Sequence, residues 1–147
     1  MNATSRHQTL SLTTLTALFI PLFVSQITIA DSREDQLRAG LAAMERQHYA
    51  TAMRAWSDLA AAGDPEAQHN IGYMYEEGLG VTQQYDVAME WYRRAAGGGL
   101  AEADHNLGMM YVDGRGAARS WAQGLIHFRR AAEKGLTESR YMIALSY

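Results

Sequence analysis

Histidines and carboxylates are the side chains of this sequence that could carry chemistry, and several of them recur at a fixed distance. His69 and His105 lie 36 residues apart, which indicates the same place in two successive copies of one unit. Stacked helices stand roughly 9–10 Å apart, so two such rings would need a bridging carboxylate to bind one metal ion. The sequence therefore predicts no metal site, and it predicts histidines that face solvent or a bound partner.

Three glutamates recur with the same spacing, namely Glu66, Glu102 and Glu138. They could form a negative stripe along one face of the molecule. Alternatively, each lies in the first turn of a helix, where a carboxylate complements the helix macrodipole. We favour the second interpretation.

Sequence motifs for enzymatic catalysis are missing. No serine is followed by lysine at the third position, as a β-lactamase-type nucleophile would require, and Gly-x-Ser-x-Gly does not occur. The glycines are interpreted as helix terminators and not as a phosphate-binding loop; those that suggest such a loop are Gly78, Gly80, Gly97, Gly98 and Gly99. The sequence predicts a protein that is not an enzyme, with no catalytic residue and no cofactor.

The overall composition excludes further classes of function. The 147 residues carry a net charge of −3, and this acidic balance gives no support for nucleic-acid binding. The chain contains no cysteine, so neither a disulfide framework nor a thiolate metal site is possible. Stability must come from packed apolar side chains.

One sequence pattern occurs twice, from Ala67 to Gly99 and from Ala103 to Gly135, with a period of 36 residues. In each copy, apolar residues at helical spacing are followed by two glycines that permit a turn, and then by a second amphipathic stretch. A fixed period in this range is typical of a solenoid of helical pairs, in which each pair must stack on a neighbour.

The pattern resembles the Sel1-like repeat, a relative of the tetratricopeptide repeat. The resemblance rests on Ala-x-x-x-Leu/Ile-Gly-x-x-Tyr-x-x-Gly-x-Gly, followed by Ala-x-x-Trp-Tyr-x-x-Ala-Ala. It implies an all-α fold, an α-solenoid of stacked helix-turn-helix repeats. The repeat-defining positions are Ala67, Ile71, Gly72, Tyr75, Gly78, Gly80, Ala88, Trp91 and Ala95 in the first copy, and Ala103, Leu107, Gly108, Tyr111, Gly114, Gly116 and Ala131 in the second.

The second copy departs from the pattern at three positions. Ala117 replaces the loop valine, Gly124 replaces an alanine of the second helix, and His127 replaces the tryptophan. We expect these changes to weaken the packing of the second copy. The predicted division is a leader at 1–30, an irregular tetratricopeptide-like repeat at 31–66, Sel1-like repeats at 67–102 and 103–138, and a truncated repeat at 139–147.

The N-terminal segment is predicted to be a secretory signal peptide. Arg6 and His7 precede an apolar stretch from Leu10 to Val24, and a small residue, Ala30, ends the segment before the first acid at Asp31. Cleavage after Ala30 would give a periplasmic or secreted protein. The alternative is a retained membrane anchor, because the stretch from Leu10 to Ile29 is about long enough to span a bilayer.

The resemblance also implies a function. Tetratricopeptide-type arrays hold a peptide or a partner helix on a concave face formed by the first helix of each repeat. The equivalent residues here are His69, Asn70, Tyr73 and Glu76 in the first copy, and His105, Asn106, Met109 and Val112 in the second. We therefore predict a bacterial envelope adaptor that binds a protein or peptide through this face, with neither nucleic acid nor membrane as a partner once the leader is removed.

The C-terminal segment supports an alternative function. Residues 137–147 begin another unit, and nearly all side chains from Tyr141 to Leu145 are apolar. An open apolar edge of this kind could be covered by another subunit, or the chain could be a shortened member of a longer lineage. The alternative prediction is a structural subunit that assembles with itself or with another repeat protein through its C-terminal helix.

Overall fold

A computed structural model describes the backbone of residues 20–145 and the side chains of residues 32–145. Over this range the chain forms seven α-helices and no strand. The predicted all-α class is confirmed. The helices are α1 (Ile20–Glu45), α2 (Tyr49–Ala61), α3 (Pro65–Glu77), α4 (Tyr85–Gly97), α5 (Ala101–Asp113), α6 (Trp121–Glu133) and α7 (Thr137–Ala144).

The chain divides into a first unit that ends at Asp35 and a second unit from Gln36 to Tyr147. Positions 1–19 of the predicted leader lie outside the described residues, and the cleavage after Ala30 stays a prediction. Among the helices that the structure describes, none is both long enough and apolar enough to span a membrane.

The second unit is a series of helical hairpins. Helix α3 packs against α4, and α5 packs against α6, while α2, α4 and α6 each pack against the helix that follows. Within each hairpin the helices are joined by long loops, 78–84 and 114–120, whereas α1 and α2 are joined only by 46–48. The shorter loop agrees with the sequence, in which Gly40 lies closer to the start of the second helix than Gly72 and Gly108 do.

Local sequence signals fix the ends of the helices. The Asp64 side chain accepts a hydrogen bond from the Ala67 amide at 2.9 Å, and Pro65 occupies the first turn of α3. Gly78 and Gly114 end α3 and α5 in the left-handed conformation, with φ of 69° and 75°. The glycine pairs of the two loops thus end the first helix of each repeat.

A glycine of each first helix receives an aromatic ring of the second helix. A Cβ atom on Gly72 would lie 2.9 Å from the Tyr92 ring, and one on Gly108 would lie 2.5 Å from Phe128. Gly40 receives Trp56 in the same way. The three rings are fully buried. The glycines of the first helices therefore provide the space that an aromatic ring of the second helix occupies.

The glycine loops pack on the preceding hairpin. A side chain on Gly80 would overlap Tyr49, at the start of α2. Gly116 repeats this contact, because its Cβ would lie 2.6 Å from the Tyr85 carbonyl oxygen at the start of α4. Each loop thereby fixes the position of one hairpin relative to the hairpin before it.

The expectation that Gly124 weakens the second repeat is not supported by its contacts. A Cβ at this position would lie 2.7 Å from Val112 Cγ2 and 2.9 Å from the Gly108 carbonyl oxygen. The equivalent residue of the first repeat is Ala88, which is completely buried. Glycine at position 124 therefore leaves room for the branched side chain of Val112 and for the Gly108 carbonyl oxygen, which an alanine methyl group would overlap.

The last described helix, α7, has both buried and exposed side chains. Ser139 is completely buried, at a position where the earlier repeats have alanine, whereas Tyr141 and Leu145 are 66% and 57% exposed. Assembly through this edge stays a prediction.

The ring contacts predict the effect of filling a glycine position. Gly108→Ala should lower the free energy of unfolding by about 1–3 kcal/mol, because the new methyl group overlaps the buried Phe128 ring. Gly97→Ala is the matched control, since no atom lies within 4 Å of its Cβ position and its φ is not positive. The control should be neutral, or stabilising by up to about 1 kcal/mol. Urea unfolding of the full chain measures both, and equal effects would contradict the contact.

Candidate partner-binding groove

Two adjoining depressions lie along the first helices of the hairpins. One, of about 440 Å³, lies between the end of α1 and α3 and is lined by Leu41, Met44, Glu45, Trp56, His69, Asn70 and Tyr73. The other, of about 350 Å³, extends towards α5 and is lined by Leu41, Glu66, His69, Asn70, Leu100 and Glu102. We call these residues together the groove. Its apolar part is accessible, because Leu41 and Tyr73 are 49% and 44% exposed.

The packed ring of Tyr92 positions His69 in the groove. The two rings lie 5.3 Å apart between centroids. Asn106 of the next repeat donates from Nδ2 to His69 Nε2 at 3.0 Å, so the imidazole is neutral in this contact and its other nitrogen carries the proton. Burial lowers the pKa of His69, although the Asn70 amide and the Glu102 carboxylate oppose this shift. A neutral imidazole fixed between two amides can recognise polar groups but carries no charge.

His105 holds the equivalent place in the second repeat, but its partner differs. Its Nδ1 atom lies 2.8 Å from Ser139 Oγ, and its ring lies 5.4 Å from that of Phe128. Burial lowers the pKa of His105, with Glu138 opposing. A serine and a histidine at this distance resemble a nucleophile and its base. Because Ser139 is completely buried, no substrate can reach the hydroxyl, and the pair serves packing between α5 and α7.

Glu76 does not face the groove, in contrast to the sequence prediction. It is 7% exposed, and its carboxylate accepts a hydrogen bond from the Tyr92 hydroxyl at 2.6 Å. Arg115, in the loop of the next repeat, forms an ion pair with it at 2.5 Å and also contacts Asp113. Burial and the Glu76 carboxylate raise the pKa of Tyr92, so the phenol stays protonated as a donor. This network joins the two repeats.

The remaining predicted residues divide between the groove and its support. Asn70 and Tyr73 line the groove beside His69. Asn106 is half-buried and holds the His69 ring. Met109 and Val112 are half-buried and line neither depression.

Several groove residues were missed by sequence reasoning. Leu41 carries no sequence signal of a binding role, because a leucine at helical spacing is usually part of the core. Glu66 and Glu102 were assigned to helix first turns, and they do lie there, but they also line the groove. Their recurrence every 36 residues was the available signal. Within the described part of the chain, no three His, Asp or Glu side chains are grouped to hold a metal ion.

Stacked helical hairpins of constant length, with a groove along their first helices, define an α-solenoid of the tetratricopeptide-like class. Within this class, a sequence model of the Sel1 repeat matches residues 65–100 and 101–136. These two matches are the α3–α4 and α5–α6 hairpins, and they begin two residues before the predicted boundaries because each first helix starts there. The chain is a Sel1-like repeat protein.

Solved structures support this assignment. A Sel1 repeat protein from Oxalobacter formigenes is 33% identical, with a TM-score of 0.67 over 71% of this chain and 43% of that one. A protective antigen present in uropathogenic Escherichia coli strains, which displays an SLR fold, is 28% identical, with a TM-score of 0.68 over 76% of this chain and 25% of that one. This chain therefore spans less than half the length of either protein.

A third structure, Helicobacter pylori cysteine rich protein B, shares the fold at 17% identity, with a TM-score of 0.63 over 80% of this chain and 92% of that one. A comparison with curated proteins finds no match. Sel1-like repeats are generally non-catalytic scaffolds that bind other proteins.

The contact between Glu76 and Arg115 predicts a loss of stability on neutralisation. Glu76→Gln should lower the free energy of unfolding by about 1–3 kcal/mol, because it removes the buried carboxylate of the Arg115 ion pairs and leaves only the exposed Asp113 as a counter-charge. The neighbouring Glu77→Gln is the control and should change stability by less than about 0.5 kcal/mol, because Glu77 is exposed. Chemical denaturation of the full chain measures both variants, and similar values for the two would be inconsistent with the network.

The lowered pKa values of His69 and His105 predict a dependence of stability on pH. Below the ordinary value of 6.5 the unfolded chain takes up protons that the folded chain does not. The free energy of unfolding should therefore fall as the pH drops below 6.5, by at most about 1.4 kcal/mol per histidine and pH unit.

The double variant His69→Gln, His105→Asn removes the titrating rings and keeps an amide near each bonded nitrogen. Urea unfolding at pH 7.5 and at pH 5.5 should show a smaller difference for this variant than for the unmodified chain. An unchanged difference would show that other groups cause the dependence.

Proposed function

We propose that this protein is a secreted or periplasmic adaptor that holds a segment of a polypeptide partner in the groove. The observation that carries the proposal is the pairing of two exposed apolar side chains, Leu41 and Tyr73, with the polar side chains of His69 and Asn70 in one depression. Exposed apolar surface that is bordered by polar groups is typical of a protein-binding site.

The chemistry of the groove favours a short apolar anchor from the partner. A depression of about 440 Å³ accommodates one or two large side chains. The amide of Asn70 lies beside it and can pair with a backbone amide of the bound segment. Glu66 and Glu102 border the adjoining depression, so a basic residue next to the anchor would be favoured there.

The proposed location rests on the N-terminal segment. Its weakly basic start, apolar middle and small final residue are typical of an exported protein. The absence of cysteine is compatible with an oxidising compartment, because no thiol has to be protected there.

Site-specific photo-crosslinking tests the groove. A photoreactive amino acid at Tyr73 should form a covalent adduct with a polypeptide in cells that produce the protein, because this position borders the apolar depression. The same residue at Ile126 is the control, since Ile126 is equally exposed, at 43%, but lines neither depression.

The adduct at Tyr73 should decrease when Leu41→Glu is introduced, because a carboxylate would then occupy the apolar depression. An adduct of the same species and yield at Ile126, or none at Tyr73, would rule out the groove as the binding site.

A further inference from the structure

A separate cleft, of about 470 Å³, lies between α4, α5 and α6 and shares no residue with the two depressions of the groove. Its charged side chains include three permanent cations and one carboxylate. We call it the basic cleft; it is lined by Arg93, Ala96, Gly97, Asp104, Leu107, His127, Arg130 and Lys134.

The carboxylate of Asp104 lies at the base of this cleft and is 2% exposed. One oxygen accepts from Lys134 Nζ at 2.7 Å, and the other lies 3.0 Å from His127 Nδ1. Lys134 also donates to the Ala96 carbonyl oxygen at the end of α4, and His127 stacks on Tyr111 at 5.5 Å. Both oxygens of the buried carboxylate are therefore paired.

The equivalent place in the first repeat has a neutral amide instead of the buried carboxylate. Gln68 stands where the second repeat has Asp104, and it donates to the Ala60 carbonyl oxygen at 3.0 Å. Trp91 stands where the second repeat has His127, and the Arg94 guanidinium covers its ring at 4.8 Å. The second repeat thus has a hydrogen-bonded aspartate and histidine at the two positions where the first repeat has glutamine and tryptophan.

A further pair of residues differs in a correlated way. In the first repeat a Cβ on Gly98 would lie 2.5 Å from Pro65, so a side chain has no room there. In the second repeat the equivalent positions hold Lys134 and Ala101. The smaller alanine at the start of α5 leaves the space that the lysine occupies. Four positions therefore differ between the repeats, and together they replace neutral groups and a closed contact by a charged, open cleft. They are 65, 68, 91 and 98 in the first repeat and 101, 104, 127 and 134 in the second.

A gain in stability is not the expected result of these differences. Replacing a packed tryptophan by histidine removes apolar contact, and a buried ion pair is often no more stable than apolar residues of similar size. The lysine neutralises the Asp104 charge within the cleft. Two guanidinium groups, Arg93 and Arg130, then remain at its rim. Arg93 approaches Glu90 at 3.7 Å, but both side chains are about half exposed, and such a pair contributes little.

We propose that the basic cleft binds an acidic segment of a polypeptide, with its carboxylates on Arg93 and Arg130. Guanidinium groups match carboxylates in a planar, two-point contact. Two cations on separate helices around an open cleft suit neighbouring acidic side chains of one chain better than a single small ion. The polypeptide nature of this partner rests on the proposed adaptor function, whereas the cleft lies apart from the groove.

Calorimetric titration of the full chain with a short, capped oligo-glutamate peptide tests the proposal. The double variant Arg93→Gln, Arg130→Gln should weaken binding about tenfold or more, because it removes both guanidinium groups that would hold the carboxylates of the peptide. The control is Arg94→Gln, Arg129→Gln, which changes the net charge equally on the same two helices but outside the cleft. It should weaken binding less than about twofold.

Each other outcome overturns the proposal. Equal losses for the two double variants would mean attraction by net charge only, and no binding of the peptide would exclude the site. Inorganic phosphate that binds as tightly as the peptide at the same ionic strength would mean a small-ion site. Because crosslinking at Tyr73 does not involve these arginines, a failure of the cleft and a failure of the groove are distinguishable.

Discussion

The contact between a glycine of the first helix and an aromatic ring of the second is the constraint on which this structure depends. It occurs at Gly40, Gly72 and Gly108, which receive Trp56, Tyr92 and Phe128. A ring that enters the space of a missing side chain fixes both the distance and the rotation of two helices. One face of each first helix is therefore committed to the core, and the residues beside that face border the groove.

Two repeats built on the same backbone carry different side-chain chemistry. The loop residue that packs back on the preceding unit is Leu79 in the first repeat and Arg115 in the second. Arg115 requires a counter-charge, and Glu76 provides it, whereas the position equivalent to Glu76 in the second repeat is Val112. The groove and the basic cleft arise in the same way. Side chains differ between the repeats, whereas the glycine–ring contacts keep the packing of the helices the same.

Much of the helical architecture could be predicted from the sequence, because the periodicity, the glycine turns and the helix caps are visible in each repeat. The loop 46–48 was also predictable, since Gly40 lies closer to its partner helix than Gly72 and Gly108 do. The burial of Glu76 could not be predicted from its position on the helix, because its partner Arg115 is distant in sequence. The signal was the joint departure of Glu76 and Arg115 from their equivalents, Val112 and Leu79.

The groove, and not the second helices α4 and α6, is proposed to receive the apolar anchor of a partner. Hydrogen–deuterium exchange of the full chain, with and without a peptide selected from a random display library, tests this most directly. Slower exchange is expected at the end of α1 and along α3, with α6 unchanged. Protection confined to α4 and α6 would contradict it, because the peptide would then bind on helices that contribute nothing to the groove.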